Sequence, residues 1–363
     1  MNILHIYKDY YPVLGGIENH IKILAEAQAS AGYQVTVLAC SPGYRTCVET
    51  INGVKIIKAG RLATVASMPL SLAQPLILAR LKPDIIHIQS PYPLGEMANW
   101  LLGRAKATII SYQSDVVRQQ AILRFYGPIL RRVLQTADQI VANNPRYVET
   151  STWLKPVRGK CKVIPIGINV DRFHATPRLR ERALQLLFVG RLRYYKGLDT
   201  LLHALPHIPG VHLTIVGVGP MQTMCQTLTR ELELTDRVTF AGEIDDADLP
   251  SYYQQADLFV LPSNARSEAY GIVLLEAMAS GLPCITTELG TGTSWIVQDG
   301  VTGFVIPPKD PLALAEAINK LVADEPLRQQ FAQAGLKRVN LEFTEEIMVK
   351  RVIALYEEIL LQQ

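Results

Sequence analysis

The sequence predicts an α/β protein of two Rossmann-like, doubly wound domains facing each other across a cleft. Three observations predict it. Short aliphatic runs alternate with longer helical patterns along the whole chain, the alternation breaks once between Pro165 and Arg182 and then restarts, and 363 residues suit two domains better than one. Strands apolar on both faces, separated by helices, mean parallel sheets covered on both sides.

In the first half, Ile3–Tyr7, Val35–Ala39, Val54–Lys58, Ile85–Ile88, Ala107–Ser111, Gln139–Ala142 and Lys162–Ile164 read as strands. Between them Ile17–Ala31, Pro69–Arg80, Gly95–Leu102, Ile122–Gln135 and Pro145–Leu154 read as helices. The second half repeats the scheme. Leu186–Val189, Leu213–Val216, Val238–Phe240, Leu258–Leu261, Cys284–Thr286 and Phe304–Ile306 alternate with helices near 197–205, 220–232, 248–256, 271–280 and 311–323. A closing helix, Glu345 to Leu361, follows the last strand. The expected boundaries are therefore 1–165, 166–344 and a terminal helix over 345–363. Such sheets bind ligands at the carboxyl ends of their strands.

Hydrophobic residues at 48% and charged residues at 19% exclude a disordered or fibrous chain. Five cysteines, an odd number with no C-x-x-C pair, argue against a disulfide framework and a structural zinc site. The start MNILHIYKDYY has no basic region leading into an apolar run. The uncharged stretch Leu62–Ala79 is broken by Pro69 and Pro75, so a membrane span is not expected. From these features a cytoplasmic location is expected. The net charge of +3 hides an asymmetry: nineteen Lys and Arg against nine Asp and Glu in 1–165, a net of +10, and −7 beyond it. A basic first half suggests an anionic partner, a membrane surface or phosphorylated substrate, with dispersed solvated surface cations as the alternative. The scattered cations, without an aromatic recognition motif, argue against nucleic acid.

Chemistry concentrates in SEAYGIVLLEAMASGLPCI, Ser267–Ile285. Glu276 sits on a helix of otherwise apolar residues, where a carboxylate needs a partner such as ligand hydroxyls or an internal salt bridge. Glu268 precedes that helix, where a carboxylate can also cap it. The amides of Gly271, Ile272 and Val273 offer a phosphate seat. A second segment, FVGRLRYYKGLDTLL (Phe188–Leu202), ends a strand at Val189. Gly190 gives the backbone room there, and Arg191 and Lys196 suit a diphosphate. Gly15-Gly16 follows the first strand without a full G-x-G-x-x-G pattern, and Gly217-Val218-Gly219 reads as a tight turn. Asp246 and Asp248 look like a metal pair but begin a helix, and Pro206 separates His203 from His207. No metal site is expected. No G-x-S-x-G elbow and no P-loop occurs, which counts against an α/β-hydrolase and a P-loop nucleotide hydrolase.

Taken together, these segments resemble glycosyltransferase family 4, the retaining enzymes of GT-B fold. The resemblance rests on Gly15-Gly16, DIIHIQSP (Asp84–Pro91), VIPIGINVDRF (Val163–Phe173), VGRLRYYKG, VGVGP, ADLFVLPS (Ala256–Ser263) and the Glu-x7-Glu pair Glu268/Glu276. It implies an acceptor-binding first domain, a nucleotide-sugar-binding second domain, and a last helix crossing back onto the first.

By the same resemblance, Arg191 and Lys196 neutralise the donor diphosphate, Glu276 binds the ribose and Glu268 contacts the transferred sugar. Gly16, Gly190, Tyr270, Gly271, Ile272 and Val273 line the donor, with Ile244 near the base. The donor phosphate itself would take the acceptor proton on the same face, so no enzyme nucleophile and no metal or other cofactor is implied. One position departs. In SYQSDVVRQ (Ser111–Gln119), Gln113 stands where the family usually has His, beside Asp115. A glutamine amide cannot titrate. The implied reaction is hexosyl transfer from a UDP-hexose, slightly favoured over GDP-mannose, to a saccharide or lipid-linked acceptor in polysaccharide or glycolipid synthesis, with peripheral contact at the inner membrane face. The alternatives are a nucleotide-sugar-binding protein weakened through Gln113, and a nucleotide-sugar epimerase.

Overall fold

In the computed structural model, residues 1–13, 15–65, 68–115, 120–174 and 183–362 are described. Leu14, part of the 62–79 stretch (66–67), the end of the 111–119 segment (116–119) and the end of the 165–182 join (175–182) lie outside them. The chain divides into two compact units, residues 1–166 with 345–363, and residues 167–344.

The first unit contains strands β1 (Asn2–Ile6), β2 (Gln34–Cys40), β3 (Cys47–Ile51), β4 (Val54–Ala59), β5 (Ala63–Val65), β6 (Met68–Leu70), β7 (Ile85–Ser90), β8 (Ala107–Tyr112), β9 (Gln139–Ala142) and β10 (Cys161–Val163). Its helices are α1 (Gly16–Ser30), α2 (Ala73–Leu78), α3 (Pro93–Leu102), α4 (Gln120–Thr136) and α5 (Pro145–Thr150), joined by the chain's last helix. The main sheet runs β10-β9-β8-β7-β1-β2-β4-β3 and is parallel up to β4. Every residue of β7 is buried, as a strand covered on both faces requires.

The second unit contains β11 (Leu184–Val189), β12 (Val211–Val216), β13 (Val238–Gly242), β14 (Leu258–Leu261), β15 (Cys284–Thr287) and β16 (Gly303–Ile306). Its helices are α6 (Leu198–Ala204), α7 (Gln222–Glu231), α8 (Leu249–Gln255), α9 (Ile272–Ala279), α10 (Thr293–Ile296), α11 (Pro311–Ala323) and α12 (Glu325–Glu342). The sheet order β13-β12-β11-β14-β15-β16 is all parallel, the 3-2-1-4-5-6 order of dinucleotide-binding sheets. The closing helix α13 (Glu345–Leu361) belongs to the first unit, where the Tyr356 hydroxyl meets His87 Nδ1 at 2.5 Å and Tyr33 donates to Glu357 at 2.9 Å.

The structure departs from the sequence-based elements where apolar burial is thin. β3 pairs antiparallel with β4 as an exposed edge strand, without the inward alternation that marks a strand. The helix expected over Pro69–Arg80 is shorter: Met68–Leu70 pair with Ala63–Val65 in a small hairpin, and the helix starts at Ala73. The helix expected over Pro145–Leu154 stops at Thr150, followed by a 3-10 turn at Lys155–Lys160. α12 went unread because its buried stripe is only Phe331, Gly335 and Val339 on an otherwise polar surface.

Candidate active site

In the second unit the strand order reverses between β11 and β14, which opens a crevice at their carboxyl ends. The two chemistry-bearing segments leave those two strands. Gly190 directly follows β11 with φ 149°, and its missing Cβ leaves the Lys196 side chain about 3.2 Å of approach. Gly197 then turns left-handed (φ 68°), and a Cβ there would stand 1.9 Å from the Pro262 carbonyl oxygen. That clearance lets the loops touch. Asn264 donates its amide N–H to the Tyr195 carbonyl at 2.8 Å and its side-chain Nδ2 to the Tyr194 carbonyl at 3.1 Å, while Tyr194 and Ser267 hydroxyls meet at 3.2 Å.

Inside this stitched pair of loops, Lys196 Nζ lies 2.6 Å from Glu268 Oε2, with both residues buried and Ser263 Oγ donating to the same oxygen at 3.4 Å. Glu268 therefore pairs with a cation and does not cap the helix. The cap position of α9 belongs to Gly271, at φ 87°. Leu274 is the first residue of that helix whose N–H reaches a carbonyl, that of Gly271. The amides of Gly271, Ile272 and Val273 thus have no acceptor inside the helix, and they carry its positive dipole end. Tyr270, which is buried, is held from behind: a Cβ on Gly292 would lie 2.9 Å from its Cα. Arg191 is exposed, and Ile244 is half-buried two residues after β13.

Glu276 is half-buried on α9 and accepts the Tyr253 hydroxyl proton at 2.6 Å. Burial raises its pKa above the usual carboxylate range, and the Tyr253 hydrogen bond opposes that rise. The salt bridge considered for Glu276 is therefore found at Glu268, and Glu276 takes a neutral donor. Nearby, Asp246 pairs with Arg172 at 2.8 Å. Among the described residues no group of three His, Cys, Asp or Glu could hold a metal ion.

Sequence reasoning missed several parts of the setting. Tyr253 is fully buried on α8, where its spacing resembled ordinary core. Arg266 ties the loop after β14 to the carbonyls of Leu289 and Gly290 after β15. The glycine turn after β12 is more than a turn: a Cβ on Gly217 would lie 2.3 Å from the Gly190 oxygen, and one on Gly219 2.5 Å from the Leu192 oxygen. These glycines press the β12 turn against the Gly190–Leu192 backbone.

The other predicted residues lie in the first unit. Gly16 opens α1, and the Glu18 carboxylate folds back to within 2.2 Å of where a Gly15 Cβ would be. Gln113 is buried just past β8. Its Nε2 donates to Gln89 Oε1 at 2.7 Å, and Asn143 Nδ2 donates to its carbonyl at 3.2 Å and its Oε1 at 3.4 Å. Gln113 also lines a small cavity with His20, Ser111 and Asn143. Asp115 accepts the Tyr112 and Ser151 hydroxyls at 2.8 and 2.7 Å on one oxygen, which fixes the start of its loop.

Comparison with known proteins gives this geometry its context. Residues 169–338 match the family described as "Glycosyl transferases group 1", and residues 14–172 match "Glycosyltransferase Family 4". The chain is 36% identical to O-antigen chain mannosyltransferase C of Escherichia coli, over 99% of both chains. It is 37% identical to D-rhamnosyltransferase WbpZ of Pseudomonas aeruginosa, over 88% of this chain and 86% of that one. Among solved structures, sucrose-phosphate synthase from Thermosynechococcus elongatus superposes over all of both chains with a TM-score of 0.83 and 25% identity. The fold is of the GT-B class, two Rossmann-like α/β units.

Proposed function

The chain belongs to glycosyltransferase family 4, and from that premise we propose that it is a retaining hexosyltransferase whose second unit binds a nucleotide-sugar donor and whose first unit binds the acceptor. The observation that carries the reading is the convergence of Lys196, Glu268 and the α9 amides on one crevice of the second unit. Departure of the sugar leaves negative charge on a diphosphate. Lys196, Arg191 and the amides of Gly271–Val273 stabilise that charge, so no metal is required. As the sugar–phosphate bond breaks, its electron pair passes to the phosphate. The acceptor oxygen bonds to the same carbon on the same face, and its proton goes to the departing phosphate. Glu276 takes the ribose hydroxyls and Glu268 the transferred sugar.

The acceptor is a saccharide or lipid-linked saccharide of surface polysaccharide assembly, a reading supported by the O-antigen enzyme. The mannosyl and rhamnosyl names of the two relatives favour a sugar of manno configuration, hence GDP-mannose over the UDP-hexose the sequence slightly favoured. Calorimetric titration with GDP, UDP, GDP-mannose and UDP-glucose, without added metal, tests this. Selective binding of the guanosine pair is expected. Binding of none of the four would overturn the site.

The locked amide of Gln113 favours a second reading, a donor-binding protein without turnover. Comparing donor consumption by the wild type and Gln113→His separates the two. Basal turnover by the wild type supports the transferase; absence of turnover in both supports the binder.

A further inference from the structure

No Asp or Glu occurs between residues 62 and 83 or between 97 and 114. The fold brings these two acid-free stretches together, because α2 packs on α3. Their outward residues are ones a protein in water normally buries. Leu72 and Leu76, one helical turn apart, are 72% and 62% exposed, and Leu101 at the end of α3 is 63% exposed beside Trp100 and Leu102. Leu62 and Val65, before and in the preceding hairpin respectively, are also more than half exposed. Arg80, Lys82 and Arg104, all exposed, follow these segments directly. Asp84, the next carboxylate along the chain, is taken by Lys106 at 2.8 Å. By contrast, among the described residues of the second unit the exposed large apolar ones, Met224, Val301, Leu312 and Leu341, come from four separate places in the chain.

We propose that the α2–α3 face of the first unit docks on an anionic lipid surface. Leu72, Leu76, Leu101 and Trp100 enter the interfacial layer, and Arg80, Lys82 and Arg104 face the headgroup phosphates. A bilayer accepts projecting leucines without a shaped counterpart, and an acid-free basic rim selects a negative one. A second copy of the chain fits poorly, because a two-fold contact through this face would oppose like charges. Among the described residues no helix is long and apolar enough to cross a membrane, so the contact is peripheral. The proposal deepens the reading of a lipid-linked acceptor and rests on it for its purpose, but it can fail separately.

The full chain is sedimented with vesicles of phosphatidylcholine alone and with about 30% phosphatidylglycerol. Binding only to the anionic vesicles is expected, falling about tenfold or more for Leu72→Ser/Leu76→Ser and also for Arg80→Gln/Lys82→Gln. Circular dichroism and thermal unfolding of the same variants should match the wild type, which shows that the first unit folds, and nucleotide affinity in the second unit should stay at the wild-type value. Equal binding to both vesicle types, no binding, or full binding by the leucine variant would overturn the proposal. So would a wild-type dimer that the leucine variant dissociates. Loss of nucleotide binding in the wild type would instead strike the donor reading and leave the lipid result standing.

Discussion

The Lys196 ammonium and the Glu268 carboxylate form a buried ion pair, 2.6 Å apart, between the loops that follow two adjacent strands at the reversal of the second sheet. Each residue holds the other in the crevice before any donor arrives. Lys196→Met should therefore act twice. It leaves a buried carboxylate without its cation, which costs about 3–5 kcal/mol of stability, and on the proposed mechanism it removes leaving-group stabilisation, cutting turnover about 100-fold or more. Lys196→Met/Glu268→Leu should recover most of the stability and none of the turnover. Urea unfolding and initial rates on the two variants check this; equal stability of the single variant and wild type would show the pair to be energetically idle.

Glu276 gives a pH prediction with two opposite signs. Its pKa is raised in the folded protein, so the free protein loses stability as pH rises through that window, where the unfolded chain ionises first. The ribose contact proposed for Glu276 needs the ionised carboxylate as acceptor, so nucleotide affinity should move the other way. It falls as pH drops through the raised pKa, at higher pH than an ordinary glutamate would require. Nucleotide Kd from about pH 8 to about pH 5 measures the effect, and Glu276→Gln should weaken binding and flatten the profile. A wild-type profile as flat as the variant's would place Glu276 outside the ligand contacts.

Gly197→Ala should be far more costly than Gly210→Ala. Both glycines have φ near 69°, so both substitutions carry the left-handed penalty of about 1–2 kcal/mol. At Gly210 the added methyl meets open space, whereas at Gly197 it meets the Pro262 carbonyl. Thermal unfolding of the two variants should differ by at least that penalty again, and only Gly197→Ala should impair donor binding.

Acid should unfold the first unit early. Burial holds His5 and His20 down at about 4 and His87 well below its ordinary value. Below about pH 6.5 the unfolded chain takes up protons that the folded imidazoles refuse, so stability is lost as pH falls toward 4. Replacing His20 by Gln should reduce the slope of unfolding free energy against pH between these limits. An unchanged slope would mean that the imidazole is not kept neutral.

Much of the site was legible because its chemistry is local. Arg191, Lys196, Glu268 and Glu276 lie just after apolar runs that could only be inner strands or on the helix those runs lead into, and Gly190 and Gly271 mark places where backbone must turn without a side chain. Tyr253, Asn264 and Arg266 were not legible. Each is an ordinary residue whose role is a contact made across the fold, to Glu276, to Tyr194 and Tyr195, and to Leu289 and Gly290.

The sequence by itself determined that the chain alternates strands and helices in two series, because a strand buried on both faces must be apolar throughout and a covering helix need be so on one side only. It also determined which residues stand at strand ends. Tertiary structure decided their partners: that Lys196 meets Glu268 and not Glu276, that Gln113 is held between Gln89 and Asn143, and that Leu72 faces outward while Leu78 is buried. Periodicity fixes the face of an element, since that follows from the geometry of one backbone segment. Which charges and hydrogen bonds meet depends on strand order and loop clearance, and those are set by packing among residues far apart in the chain.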